Sequence, residues 1–159
     1  MSEMTAEQVR RHDQQDPSSL LAAWRELAPD FEQGIAAFGM WPAFIDVWSH
    51  EHDLRGALDL PGSTDDEDTR DVLTLVTRAW RPRVHPQGPV QVVTDLGSVT
   101  LHAAEGPATV LRATAFEVDR LRLGRRSAAQ VRAMDWSEPP GDWLDDLFVF
   151  GPRSEPLAY

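Results

Sequence analysis

Arg81-Pro82-Arg83-Val84-His85-Pro86-Gln87-Gly88-Pro89 is where the chain changes character. Pro82, Pro86, Gly88 and Pro89 cannot continue a helix, because proline removes a backbone donor and clashes with the preceding turn. Upstream, apolar residues recur at helical spacing. Downstream, they come in short runs separated by turn signals. The stretch therefore divides the 159 residues into a helical part, 1–81, and an α+β part, 82–159.

Working back from it, Val72, Leu73, Leu75, Val76, Ala79 and Trp80 predict a helix that starts in the acidic run Thr64–Asp68. A second predicted helix begins at Pro42, carries Phe44, Val47, Trp48, Leu54 and Leu58, and ends at Leu60-Pro61-Gly62-Ser63. An earlier one opens at Asp16-Pro17, an N-cap followed by proline at the first helical position. It places Leu20, Leu21, Trp24, Leu27, Phe31 and Ile35 on one face and stops at Gly39. The spacing predicts Trp24, Trp48 and Trp80 as core residues.

Working forward, Val90–Thr94, Val99–Ala103 and Ala108–Ala113 read as strands, with Asp95-Leu96-Gly97-Ser98 as a hairpin turn. Thr114-Ala115-Phe116-Glu117 is a capping-box pattern that opens a helix to about Leu123, stopped by Gly124. Ser127-Ala128-Ala129-Gln130 is a second box, leading a helix through Val131 and Met134. Asp142 is a cap for a short helix through Trp143 and Leu147, and Trp136 and Trp143 should pack this part.

Composition narrows the chemistry. There are 15 basic and 26 acidic residues, a net charge of −11, which argues against general nucleic-acid binding and against anionic membrane surfaces. All 15 basic residues are arginine, so Schiff-base and P-loop lysine chemistry are excluded. With no cysteine, a disulfide, a thiolate nucleophile and Cys-ligated zinc are excluded too. Residues with A/T-rich codons are scarce, as in a G+C-rich genome. Met1–Arg11 lacks the pattern of a signal peptide, and no apolar run is long enough to span a membrane. The expectation is a cytoplasmic protein.

The residues richest in chemistry lie in the second predicted helix. Asp46, His50, Asp53 and Ala57 fall within about 60° of one another on a helical wheel. An Asp and a His four apart on one face can share a metal ion, and Asp53 one turn on can orient the imidazole. His52 points elsewhere. Opposite the Phe44/Val47/Trp48/Leu58 stripe, the same face is equally that of a solvated helix. A catalytic metal needs a third protein ligand, from His12, His85, a carboxylate or another chain. Arg55 reads either as a contact for a substrate carboxylate or as the partner of Glu51 one turn back. Arg125-Arg126 reads either as a bidentate carboxylate clamp or as partners for Glu117 or Asp119 at a helix end. No Gly-Xaa-Ser-Xaa-Gly motif is present, and Asp65–Asp68 lacks the spacing of a calcium loop. His85 and His102 read as surface residues.

The string Ile45-Asp46-Val47-Trp48-Ser49-His50-Glu51-His52-Asp53-Leu54-Arg55-Gly56-Ala57-Leu58 resembles the signature helix of the mycothiol-dependent maleylpyruvate isomerase family. A second block, Phe116-Glu117 with Leu123-Gly124-Arg125-Arg126-Ser127 through Trp136, resembles the Gly-Arg-Arg-Ser helix junction of that family's second domain. Phe148-Val149-Phe150-Gly151-Pro152 resembles its tail. The resemblance implies a DinB-like helical bundle followed by a small sterol-carrier-like α+β domain. It implies a divalent metal, zinc first among candidates, held by Asp46 and His50 with Asp53 behind them. It implies mycothiol as an imported thiol, in keeping with an actinobacterial codon bias. Arg55, Arg125 and Arg126 would hold the carboxylate of a small-molecule substrate.

Family members are usually longer, and their first helices supply a further metal-binding His. His12 sits in no such motif, so the expected bundle is partial and the metal set lacks a member. The apolar stripe left uncovered by a missing helix would then call for a homodimer or a rearrangement. Two functions follow from these residues: a mycothiol-dependent isomerase or thiol transferase, and a small-ligand-binding or structural protein without a complete metal site.

Overall fold

The computed structural model describes residues 3–39, 41–60, 62, 64–78, 88–103 and 105–157. The expected boundary at 81 and 82, together with Trp80 and His85, lies outside the described residues, and so does the side chain of His102. The chain groups into two compact units, Met1–Phe44 and Ile45–Tyr159. Its content of helices and one mixed sheet makes it an α+β protein.

The first unit holds α1 (Glu3–His12), α2 (Pro17–Phe38) and the first residues of α3 (Trp41–Ala57). The sequence reading did not include α1. Asp16 and Pro17 open α2 as expected, and Gly39 closes it in the left-handed conformation, φ +63°, its N–H bonded to the Ile35 carbonyl. None of α2's residues is buried: Trp24 is 59% exposed and Leu27 64%. Trp24 is thus not a core residue, because helical spacing aligns an apolar stripe but only a facing layer buries it.

The second unit carries the core. After α3 come α4 (Glu67–Arg78), β1 (Val90–Thr94), β2 (Gly97–His102), β3 (Thr109–Arg112), α5 (Ala115–Arg122), α6 (Ala128–Arg132), β4 (Asp135–Trp136) and a 3₁₀ turn, Asp142–Leu147. The sheet runs β2-β1-β3-β4; β1 and β3 are parallel and the other pairs antiparallel. The hairpin at Asp95-Leu96 falls where expected. β4 was not foreseen, since two residues carry no periodicity. Val90, Val92 and Leu111 point from one face of the sheet into a cluster with Leu73, Val118, Leu121, Val131, Leu144 and Leu147. Trp136 and Trp143 pack edge to face at 5.7 Å against it, as expected.

Local chemistry fixes the helix starts. The Asp66 carboxylate accepts from Thr69 N–H at 2.9 Å, capping α4 and giving the acidic run a structural use. Thr114 Oγ1 accepts from Glu117 N–H at the start of α5. Ser127 and Gln130 complete a reciprocal box at the start of α6. Between α5 and α6, Gly124 adopts φ +71°, and a Cβ there would lie 2.5 Å from the Gly151 carbonyl oxygen. That close approach lets the tail run alongside the corner: Val149 N–H donates to Arg122 O and Arg153 N–H to Arg126 O. The second and third sequence blocks are therefore neighbours in space.

The apolar stripe expected on α3 is fully buried only at Trp48, a core residue as its spacing predicts. Trp48, Ser49 and His52 are buried, whereas Val47 and Leu58 are exposed. Alpha-3 has no single dominant apolar face, and the side that α5 covers is chosen by Trp48 and by polar bonds to Arg120.

Candidate functional site

Asp46 and His50 lie one turn apart on α3, both exposed, with His50 Nε2 3.5 Å from Asp46 Oδ1. His50 Nδ1 is 3.7 Å from Asp53 Oδ2, too long for a hydrogen bond. The three side chains thus share a face as the spacing implies. Asp53, however, is turned toward α5. Its Oδ1 is 2.7 Å from Arg120 Nη1, and its Oδ2 accepts from Arg125 Nε at 2.9 Å. A carboxylate held between two guanidinium groups has little remaining pull on an imidazole or a cation.

Among the described residues no group of three His, Asp or Glu side chains is placed to hold a metal. Asp46 and His50 make a two-ligand corner, short of the three protein ligands a catalytic zinc takes. These residues alone therefore do not fit a complete metal–thiol centre.

The arginines divide by partner. Arg55 Nη2 lies 2.7 Å from Glu51 Oε1, the one-turn pairing. Arg126 grips Glu117 in a two-point fork, Nε to Oε2 at 2.8 Å and Nη2 to Oε1 at 2.6 Å. Glu117, read as the return arm of a capping box, has its carboxylate on Arg126 instead. Arg125 also donates to Leu123 O at 3.2 Å, which satisfies a carbonyl at the end of α5. The two sequence blocks, about 70 positions apart, are joined by the Asp53–Arg125 bond.

Two residues of this region, Arg120 and Arg122, escaped the sequence reading, and Asp119, expected as a partner for Arg125 or Arg126, is instead buried in α5 with no hydrogen-bond partner among the described residues. Arg120 is 1% exposed. Its Nη1 donates to Ser49 O at 3.3 Å, and its Nε and Nη2 have no hydrogen-bond partner among the described residues. Its guanidinium carbon is 6.0 Å from the centre of the Phe116 ring. Burial lowers its pKa, and the Asp53 carboxylate pulls the other way. Arg122 donates to Leu147 O and, at 3.1 Å, to Val76 O, tying the end of α4 to the 3₁₀ turn. Burial pushes the Asp119 carboxyl up to about 9, so it is protonated at neutral pH. The signal available in sequence was weak: four of the eight residues of α5 are charged, which reads as an exposed helix until a layer covers it.

Beside Arg120 lies a cleft of about 150 Å³, walled by His52, Arg55, Gly62, Thr64 and Phe116. His52 packs between Trp48 at 4.5 Å and Phe116 at 4.8 Å, and burial lowers its pKa, so it is neutral near pH 7. No helix among the described residues is long and apolar enough to cross a membrane. No family model, curated protein or solved structure matches the chain.

Proposed function

We propose that this chain binds a small carboxylate-bearing molecule at the arginine cluster between α3 and α5. It does so as a ligand-binding relative of the mycothiol-dependent isomerases and thiol transferases, with the DinB-like and sterol-carrier-like arrangement that kinship brings. The observation that supports the reading is a charge imbalance. Arg120 and Arg125 share one carboxylate, that of Asp53. Glu117 is taken by Arg126, and Asp119 is protonated. Two guanidinium groups around one partly buried carboxylate leave a positive charge that an anion can balance.

Asp46 and His50 supply two of the three protein ligands a catalytic zinc takes, whereas the arginine cluster supports the ligand-binding reading without a metal. The test is a pair of titrations on chelator-treated protein. Malonate is expected to saturate a site without metal. Zinc is expected to bind weakly, with His50→Ala changing malonate affinity less than twofold. Stoichiometric, tight zinc that depends on His50, together with malonate binding only in its presence, would overturn this reading in favour of a metalloenzyme.

A further inference from the structure

The helix α2 is 22 residues long, and none of them is buried. Its sequence is poorly suited to standing alone in water. Pro29 lies inside it and removes the N–H that would bond the Arg25 carbonyl, and Gly34 weakens the turn that follows. Helices in proteins draw most of their stability from a covered apolar face, so this one calls for a covering layer.

The residues define the face to be covered. Leu20, Trp24, Leu27 and Phe31 fall within about 60° of one another around the helix. Trp24 is 59% exposed, Leu27 64% and Phe38, on the same line, 82%. Pro29 lies opposite the stripe, so the break in the hydrogen-bond ladder falls on the outer side and leaves the stripe continuous. The exposed apolar side chains of α2 amount to on the order of 600 Å², the upper limit of what monomers leave open. Two such stripes face to face remove on the order of 1,200 Å² from water, which reaches the range of a specific interface.

The stripe is also complementary to itself. Its steps, Leu20 to Trp24, Trp24 to Leu27 and Leu27 to Phe31, run 4, 3 and 4 residues, the same in both directions. An antiparallel copy therefore meets it layer by layer, Leu20 over Phe31 and Trp24 over Leu27. In that register Asp30 lies opposite Ala23, so no like charges meet beside the seam. Glu26, Asp30 and Glu32 outweigh Arg25, which suits neither an anionic lipid surface nor a nucleic acid.

We propose that α2 is a dimerisation helix, its Leu20–Trp24–Leu27–Phe31 stripe covered by the same stripe of a second copy, antiparallel about a two-fold axis. The dimer lies outside the arginine cluster and stands whether or not an anion binds there.

The test is sedimentation equilibrium of the full chain at micromolar concentration, which is expected to give twice the monomer mass of 17.8 kDa. Leu27→Glu, harmless to a monomer in which that side chain faces water, is expected to halve the mass. Because the chain has no cysteine, single spin labels at Glu26→Cys and Ala36→Cys, both off the stripe, read the arrangement directly and decide the matter if Leu27→Glu fails to fold. The Glu26 pair is expected close together across the two-fold axis, and the Ala36 pair offset by about 30 Å along the seam. A particle of 17.8 kDa, whether its stripe folds back on its own chain or takes a different partner, would overturn the proposal. A dimer that Leu27→Glu leaves intact would overturn it too. Equal distances for the two label pairs, the mark of parallel helices, would overturn the antiparallel pairing.

Discussion

Replacing Asp119 by asparagine should make this protein more stable, and by an amount that grows with pH. Asp119 is fully buried in α5, and its carboxyl oxygens find no hydrogen-bond partner among the described residues. Burial raises its pKa from 3.8 to about 9, against a smaller opposing pull from Arg122. In the unfolded chain the group ionises near its ordinary value; in the folded chain it keeps its proton to about pH 9. Between those limits the unfolded state binds fewer protons than the native one, so stability falls as pH rises. The slope is about 1.4 kcal/mol per pH unit, and pH 7 lies about three units above 3.8, giving a loss of about 4 kcal/mol. Asparagine has nearly the same shape and no proton to lose. The Asp119→Asn chain should therefore match the wild type near pH 4 and exceed it by about 4 kcal/mol at pH 7. For a chain of this size that is roughly 8–16 °C in Tm. Thermal unfolding followed by circular dichroism at pH 4.5, 6 and 7.5 reads the divergence. Parallel curves across that range, or a less stable variant at pH 7.5, would refute the reasoning and show an ionised Asp119 held by Arg122.

The Arg126–Glu117 fork is mostly buried, so Arg126→Met should cost about 2–3 kcal/mol in urea unfolding. In a double-mutant cycle with Glu117→Gln the two losses should not add. Gly124→Ala forces a side chain onto the Gly151 carbonyl at φ +71° and should cost at least about 2 kcal/mol, with the tail from Val149 to Arg153 losing amide-exchange protection. Changes at Arg55, exposed and paired within its own helix, should stay within about 0.5 kcal/mol.

Local signals in the sequence were reliable where one or two residues decide the backbone. Asp16-Pro17 and Gly39 bound α2, and Ser127 with Gln130 starts α6. The strand runs were visible because Val90, Val92 and Leu111 carry an inward face that a cluster of side chains then fills. What failed were statements that depend on a partner layer. Trp24 has core spacing and stays exposed, while Ser49 and His52, polar by type, are buried under α5. Arg120 shows the same limit in reverse. Its identity says surface, and only the bonds to Ser49 and Asp53, some 70 positions away, make a buried guanidinium tolerable. In the candidate site, Asp46, His50 and Asp53 do share a helix face, and Asp53 does meet Arg125. The division of labour among the arginines was not legible, because it turns on which carboxylate each one reaches first.

The most direct test of the account is a calorimetric titration of malonate into chelator-treated protein at pH 7. One saturable site per chain is expected, and His50→Ala should change its affinity less than twofold. Absence of any heat of binding, or binding that appears only after zinc is added, would contradict it.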